Sequence, residues 1–212
     1  MRLVKETVVT AIWLITFLVF SPLQTIHGLW CKFVLGQNTT LAFNLIQEAW
    51  ASVLATKDEA LKAFFPDAQA IDAETVILTG EQKTQIEENA NLIFDDSLDQ
   101  QFHFFVGKKN GEVLGYAALD TVRGKWGVIQ YMLALSPQGE ILDTMVLEYR
   151  EKRGQPVAEP RFLKQFKGKT IQDKIKLQKD IRGVTGASIS SRGMTNGIRK
   201  MVYVFNAHYV SH

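Results

Sequence analysis

Apolar positions follow three rhythms along this chain. Val8 to Phe20, "VVTAIWLITFLVF", is a continuous apolar run broken only by Thr10 and Thr16, a pattern that inserts into a membrane. From Leu41 to Phe65 the apolar residues Leu41, Leu45, Ile46, Ala49, Val53 and Leu54 recur at helical spacing, and Thr56 to Glu59, "TKDE", has the form of a capping box before a further turn. "FFPDAQAID" ends that pattern, and a second, polar amphipathic helix is expected to begin near Thr79. From Gln101 the period shortens to two. "FHFFVGKKNGEVLGYAALD" places two apolar runs around Asn110-Gly111, a strong hairpin signal, and a second hairpin joins Val128–Leu135 to Ile141–Glu148 through a turn at Ser136 to Gly139. Phe162, Leu163 and Phe166 mark a short helix, and Met194, Ile198, Met201, Val202 and Phe205 share one face of a final one. The pattern predicts an α+β fold: an antiparallel sheet of at least four strands built from hairpins, with helices packed on one face and one N-terminal transmembrane helix in front.

The flanks of the apolar run set its expected topology. Arg2 and Lys5 precede it, so the N-terminus is expected in the cytoplasm and the later residues in the periplasm or outside the cell. The run fits either the core of a cleaved signal peptide or a spanning helix. "SPLQTIHGLWC", Ser21 to Cys31, lacks a small-x-small cleavage site and sets Trp30 before Cys31, which favours an uncleaved anchor over residues 1–30.

Totals narrow the chemistry. The 212 residues suit one ordinary domain with an appendage. Cys31 is the only cysteine, which excludes an intramolecular disulfide and a cysteine-built metal site. Of the four histidines only His208 and His212 are spaced for shared ligation. A net charge of +2 argues against nucleic acid as a partner. The small basic excess needs another explanation.

Candidate chemistry concentrates in "TGASISSRG", Thr185 to Gly193. Hydroxyls beside a helix start can cap its free N–H groups. They can also line an anion site, where the helix dipole and small residues admit a phosphate. Gly186 to Ser190 nearly forms a nucleophile elbow, but its last glycine is replaced by Ser190, and no Asp or Glu follows Ser188. The Ser, acid, His order of that hydrolase family cannot be assembled.

Thr185-Gly186-Ala187-Ser188, with Ile189-Ser190-Ser191 after it, resembles the motif of the FMN-binding domain family. That family includes the covalent-flavin subunits of the sodium-pumping NADH:quinone reductase and of Rnf-type electron-transport complexes. Glu151-Lys152-Arg153-Gly154 and the segment Phe162 to Lys169, "FLKQFKGK", echo two more of its stretches in the same order. The resemblance implies an FMN-binding domain at 101–212, behind a helical connecting region at 31–100. It implies FMN held by a phosphoester at Ser188, attached by a flavin transferase that uses FAD and Mg²⁺, and electron transfer with membrane or soluble redox partner proteins. Thr185, Gly186 and Ala187 form the approach, and Ser190, Ser191 and Arg192 are candidate phosphate contacts, with simple capping as the other reading of the two serines. Glu151, Gly154 and Lys125 are candidate flavin neighbours, against surface ion pairing or loop packing. Two positions depart from the family pattern: Arg182 stands where Asp is usual, and Ser188 where Thr is usual. A flavin-free binding or assembly module with the same fold is the competing reading.

Overall fold

Two threonines start helices by the same local device. Before α1 (Lys57–Phe64), the Thr56 hydroxyl accepts the Glu59 N–H at 3.2 Å while the Glu59 carboxylate accepts the Thr56 N–H at 2.8 Å. Before α2 (Gly80–Ala90), Thr79 and Gln82 repeat the exchange at 3.2 and 2.9 Å. Each box satisfies N–H groups that the helix itself leaves free. Asn91, in the left-handed region at φ 49°, ends α2.

The computed structural model describes residues 52–125, 127–149 and 155–210. The apolar run 8–20, the helical pattern from 41 to 51, and Glu151 and Gly154 lie outside the described residues. Among the described residues no helix is long and apolar enough to cross a membrane.

Among the described residues six strands form one antiparallel sheet: β1 (Ser52–Val53), β2 (Ala70–Val76), β3 (Phe102–Lys109), β4 (Glu112–Arg123), β5 (Val128–Leu135) and β6 (Ile141–Tyr149), in the order β1-β6-β5-β4-β3-β2. Asn110 and Gly111, at φ 52° and 84°, turn β3 into β4, as the sequence predicts. Ser136 to Gly139 turns β5 into β6, and Leu135 pairs with Ile141. Between β4 and β5 the turn is closed by Gly124 N–H on Gly127 C=O at 2.7 Å.

The segment 52–100, read from its pattern as helical, also supplies both edge strands. β2 hides from a pattern search because only Val76 of its seven residues is buried. With almost no apolar face of its own, it is recruited by pairing with β3 from Ala70↔Lys108 to Val76↔Phe102.

Alternate residues point to two cores. Phe104, Ala118, Leu133 and Val146 join the larger one beneath α4 (Ser188–Phe205), whereas Phe105, Ala117, Met132 and Leu147 meet Ala60 and Leu61 of α1. Helices therefore cover both faces, not the single face expected. α1 reaches the second face because its buried residues, Ala60 and Leu61, form a short apolar patch beside the first edge strand. Phe102, Phe104, Phe105, Tyr131 and Phe166 are all buried, as expected of core positions.

α4 lies very close to β4. A methyl group on Gly193 would come within 2.4 Å of the Arg123 carbonyl oxygen, and one on Gly197 within 2.3 Å of Val122 Cγ1. The spacing of four puts both glycines on one helix face, so the backbone of α4 can approach the strand that leads into the β4–β5 turn.

Candidate functional site

α4 begins at Ser188, six residues before the apolar pattern at Met194 suggested. Small residues carry the extra turns: Ser190 and Ser191 are buried, and Thr195 Oγ1 donates to the Ser191 carbonyl at 2.7 Å. The helix N-cap is Ala187, which supplies no side-chain cap. Ahead of it, Gly186 has φ 81°, and nothing lies within 4 Å of where a Cβ would stand. The turn conformation, not crowding by the protein, requires glycine there.

The hydroxyls of the cluster divide by exposure. Thr185 and Ser188 are exposed, whereas Ser190 and Ser191 are 1% and 0% exposed. Ser191 Oγ accepts the Val184 N–H at 3.0 Å, tying the loop back to the second turn of α4 instead of capping the helix. The N–H groups of Ser188 and Ile189 have no acceptor among the described residues. Ser188 thus presents a hydroxyl to solvent at the first residue of an 18-residue helix, beside uncapped donors at the positive end of its dipole. Arg192, also exposed, follows one helical turn later on the same side.

A cleft of about 570 Å³ opens beside this loop, lined by Arg161, Phe162, Gln165, Arg182, Gly183, Val184 and Thr185. α3 (Pro160–Leu163) brings in Arg161 and Phe162. Gln165 ties the segment after α3 to the loop: its Oε1 accepts the Arg182 N–H at 2.8 Å, and its Nε2 donates to the Arg182 carbonyl at 3.1 Å. Gln165 lies within the stretch "FLKQFKGK" without any mark of its own there; its pairing with Arg182 comes from the tertiary fold.

Asp180 anchors the base of the loop. It accepts N–H groups of Ile175 and Lys176 at 3.0 and 2.8 Å and the Lys169 ammonium at 3.0 Å. Partial burial works against the carboxylate, but the Lys176 N–H and Lys169 outweigh it, so the carboxyl is held below its ordinary pKa.

Lys125 is exposed on the β4–β5 turn, two residues beyond Arg123. Since Arg123 abuts Gly193, that turn adjoins α4 about 7.5 Å along the axis from Ser188. A second cleft, about 200 Å³, lies there and includes Asp95, Arg123, Gly193 and Asn196 in its lining. Among the described residues no group of His, Cys, Asp or Glu is placed to hold a metal ion.

Residues 124–203 match the FMN-binding domain family. A component of the Na(+)-translocating ferredoxin:NAD(+) oxidoreductase complex of Acetobacterium woodii is 25% identical over 130 residues, 57% of this chain and 63% of that protein. A component of the proton-translocating ferredoxin:NAD(+) oxidoreductase complex of Clostridium ljungdahlii is 26% identical over 107 residues, 47% of this chain and 57% of that protein. The chain thus spans about three fifths of the length of the curated relatives it matches. Among solved structures, a component of the Na(+)-translocating NADH-quinone reductase from Parabacteroides distasonis superposes with a TM-score of 0.50 at 16% identity, covering 83% of this chain and 98% of that one. That likeness concerns the fold alone. The matched segment runs from the β4–β5 turn through the cleft and the Thr185–Ser188 loop to α4, and it is this part of the chain that resembles the FMN-binding domain family.

Proposed function

We propose that this chain is a membrane-anchored, extracytoplasmic flavoprotein component of a redox complex, carrying FMN as a phosphoester on Ser188 and passing electrons between partner proteins. The exposed Ser188 hydroxyl at the uncapped start of α4 carries the reading. FMN supplies the electron-transfer chemistry when bound. The chain's own residues hold and orient it. A phosphodiester at Ser188 would meet the free N–H groups of Ser188 and Ile189, with Arg192 one turn away. Gly186 gives the loop its left-handed turn, and Ser191 and Gln165 fasten it at Val184 and Arg182. Lys125, Glu151 and Gly154 are proposed neighbours of the flavin ring. A flavin transferase using FAD and Mg²⁺ would supply the group. The anchor at residues 1–30 and the membrane redox partners belong to the same proposal, supported by the apolar run 8–20 and by the ion-translocating complexes to which the relatives belong.

The test is coexpression of the chain with a flavin transferase, followed by denaturing electrophoresis and peptide mass analysis. The expected result is a fluorescent band and an FMN-sized mass addition on the peptide holding Ser188, both absent from Ser188→Ala. Flavin that is released by denaturation and bound equally by Ser188→Ala would refute covalent attachment. A colourless protein under all conditions would favour the flavin-free assembly module.

A further inference from the structure

The net charge of +2 conceals a strong separation. Residues 155–212 hold 11 basic and three acidic side chains, whereas residues 1–154 hold 13 basic and 19 acidic ones. Two of those three acids are engaged: Asp173 and Asp180 both pair with Lys169. Of the 11 basic residues, Arg199 and Lys200 are buried residues of α4 itself and Lys169 serves those two aspartates. The remaining eight are exposed, and none is in an ion pair among the described residues.

Three of the eight are arginines that flank the Ser188 loop. Arg161 and Arg182 line the same cleft as Thr185, and Arg192 lies one turn along α4 from Ser188. Five more, all lysines, fall between positions 164 and 179. Ile189, next to Ser188, is an apolar side chain 51% exposed within this basic surround. A phosphodiester on Ser188 carries one negative charge, so it cannot neutralise even the three arginines.

We propose that this face is the docking surface for an acidic electron-carrier protein, which seats on Ile189 and is steered by Arg161, Arg182 and Arg192. This rests on the placement of the flavin at Ser188 proposed above. The arrangement has the anatomy of an electron-transfer contact: a small apolar centre beside the cofactor and a charged rim that accelerates encounter without demanding a large interface. Arginine pairs its planar donors bidentately with carboxylates and adds apolar stacking area, which suits contact with an acidic protein surface.

Flavodoxin, an acidic one-electron carrier, is the probe, with basic cytochrome c as its control. Binding to the full chain is measured directly, as a dissociation constant against ionic strength. Flavodoxin is expected to bind, and to bind more weakly as salt rises; cytochrome c is expected not to bind. Arg161→Glu with Arg182→Glu should weaken flavodoxin about tenfold or more, while Lys57→Glu with Lys62→Glu on α1 should leave it unchanged. Ser188→Ala should still bind flavodoxin, which separates failure of the docking face from failure of the flavin assignment. Absence of binding, insensitivity to salt, or equal losses from the two double variants would overturn the proposal. So would capture of the chain by phosphatidylglycerol vesicles through the same arginines with flavodoxin left unbound, which would assign the face to a membrane surface.

Discussion

Lys200 Nζ lies 3.0 Å from Asp120 Oδ1 across the contact of α4 with β4, and the two residues are 5% and 8% exposed. The same ammonium meets Asp99 at 2.5 Å, and Tyr131 donates to the other oxygen of Asp120 at 2.7 Å. Burial pushes the Asp120 carboxyl above its usual range despite the cation beside it. Burial also disfavours the charged form of Lys200, but Asp120 and Asp99 outweigh that and raise its pKa. One cation holds together the helix, the strand and the turn that precedes β3. Lys200→Met leaves two buried carboxylates without a counter-charge and should cost about 3–5 kcal/mol. Asp120→Asn keeps the Asp99 pair and removes the excess negative charge, so its cost should be about 1 kcal/mol. Urea unfolding of both variants checks the order; a milder Lys200→Met would show that water already screens the pair.

The two glycines of α4 should fail differently. Gly197→Ala meets side chains, Val122 first and then the Tyr131 hydroxyl at 2.9 Å, and Gly193→Ala meets backbone, the Arg123 carbonyl. Each should cost about 1–3 kcal/mol by overpacking. Adding Val122→Ala should recover part of the Gly197→Ala loss, the Tyr131 hydroxyl remaining close, and none of the Gly193→Ala loss. Equal rescue of both would mean that α4 shifts as a rigid body instead of clashing locally.

These contacts show where the sequence is readable. Hairpins at Asn110-Gly111 and Ser136 to Gly139 announce themselves because a turn needs particular residues at particular positions, and the boxes at Thr56 and Thr79 are complete within four residues. β2 carries no such mark, since its place depends on the backbone of β3. In the site, Thr185 to Ser188 stood out by residue type, while the start of α4 at Ser188 did not. Ser190, Ser191 and Thr195 are polar residues that become buried by tertiary packing, which makes them look like loop in a hydrophobicity pattern. Arg161 and Gln165 reach the loop only through the fold, across 17 or more residues of chain.

Gly186 separates conformation from space. With φ at 81° and open space around it, Gly186→Ala should cost about 1–2 kcal/mol from backbone strain alone. Gly186→Asn should cost less, because Asn tolerates the left-handed region. If thermal unfolding instead ranks the two by side-chain size, crowding and not φ is the constraint.

Asp180 predicts a specific acid sensitivity. Its folded pKa is depressed below the ordinary 3.8, so the carboxylate's contribution is fully present above that value and is lost as pH falls through the folded pKa. Stability of the wild type relative to Asp180→Asn should therefore be greatest near neutral pH and shrink only in the acid range below 3.8. An advantage that persisted unchanged to the lowest pH at which the fold survives would place the effect in packing and not in charge.

Ser191 and Gln165 test whether holding the loop is distinct from binding the flavin. Ser191→Ala removes the acceptor for the Val184 N–H, and Gln165→Leu removes both hydrogen bonds to the Arg182 backbone. Each leaves backbone groups near solvent unpaired, at a cost of about 1 kcal/mol, and neither touches Ser188. Hydrogen exchange should therefore quicken at residues 182–187 in both variants while β4 and β5 keep their protection. Flavin attachment by a transferase should slow in both but still reach Ser188, unlike in Ser188→Ala, where no phosphoester can form. Loss of attachment in Ser191→Ala without any change in exchange would mean that this buried hydroxyl acts on the flavin phosphate itself, and that the loop opens during attachment to expose it.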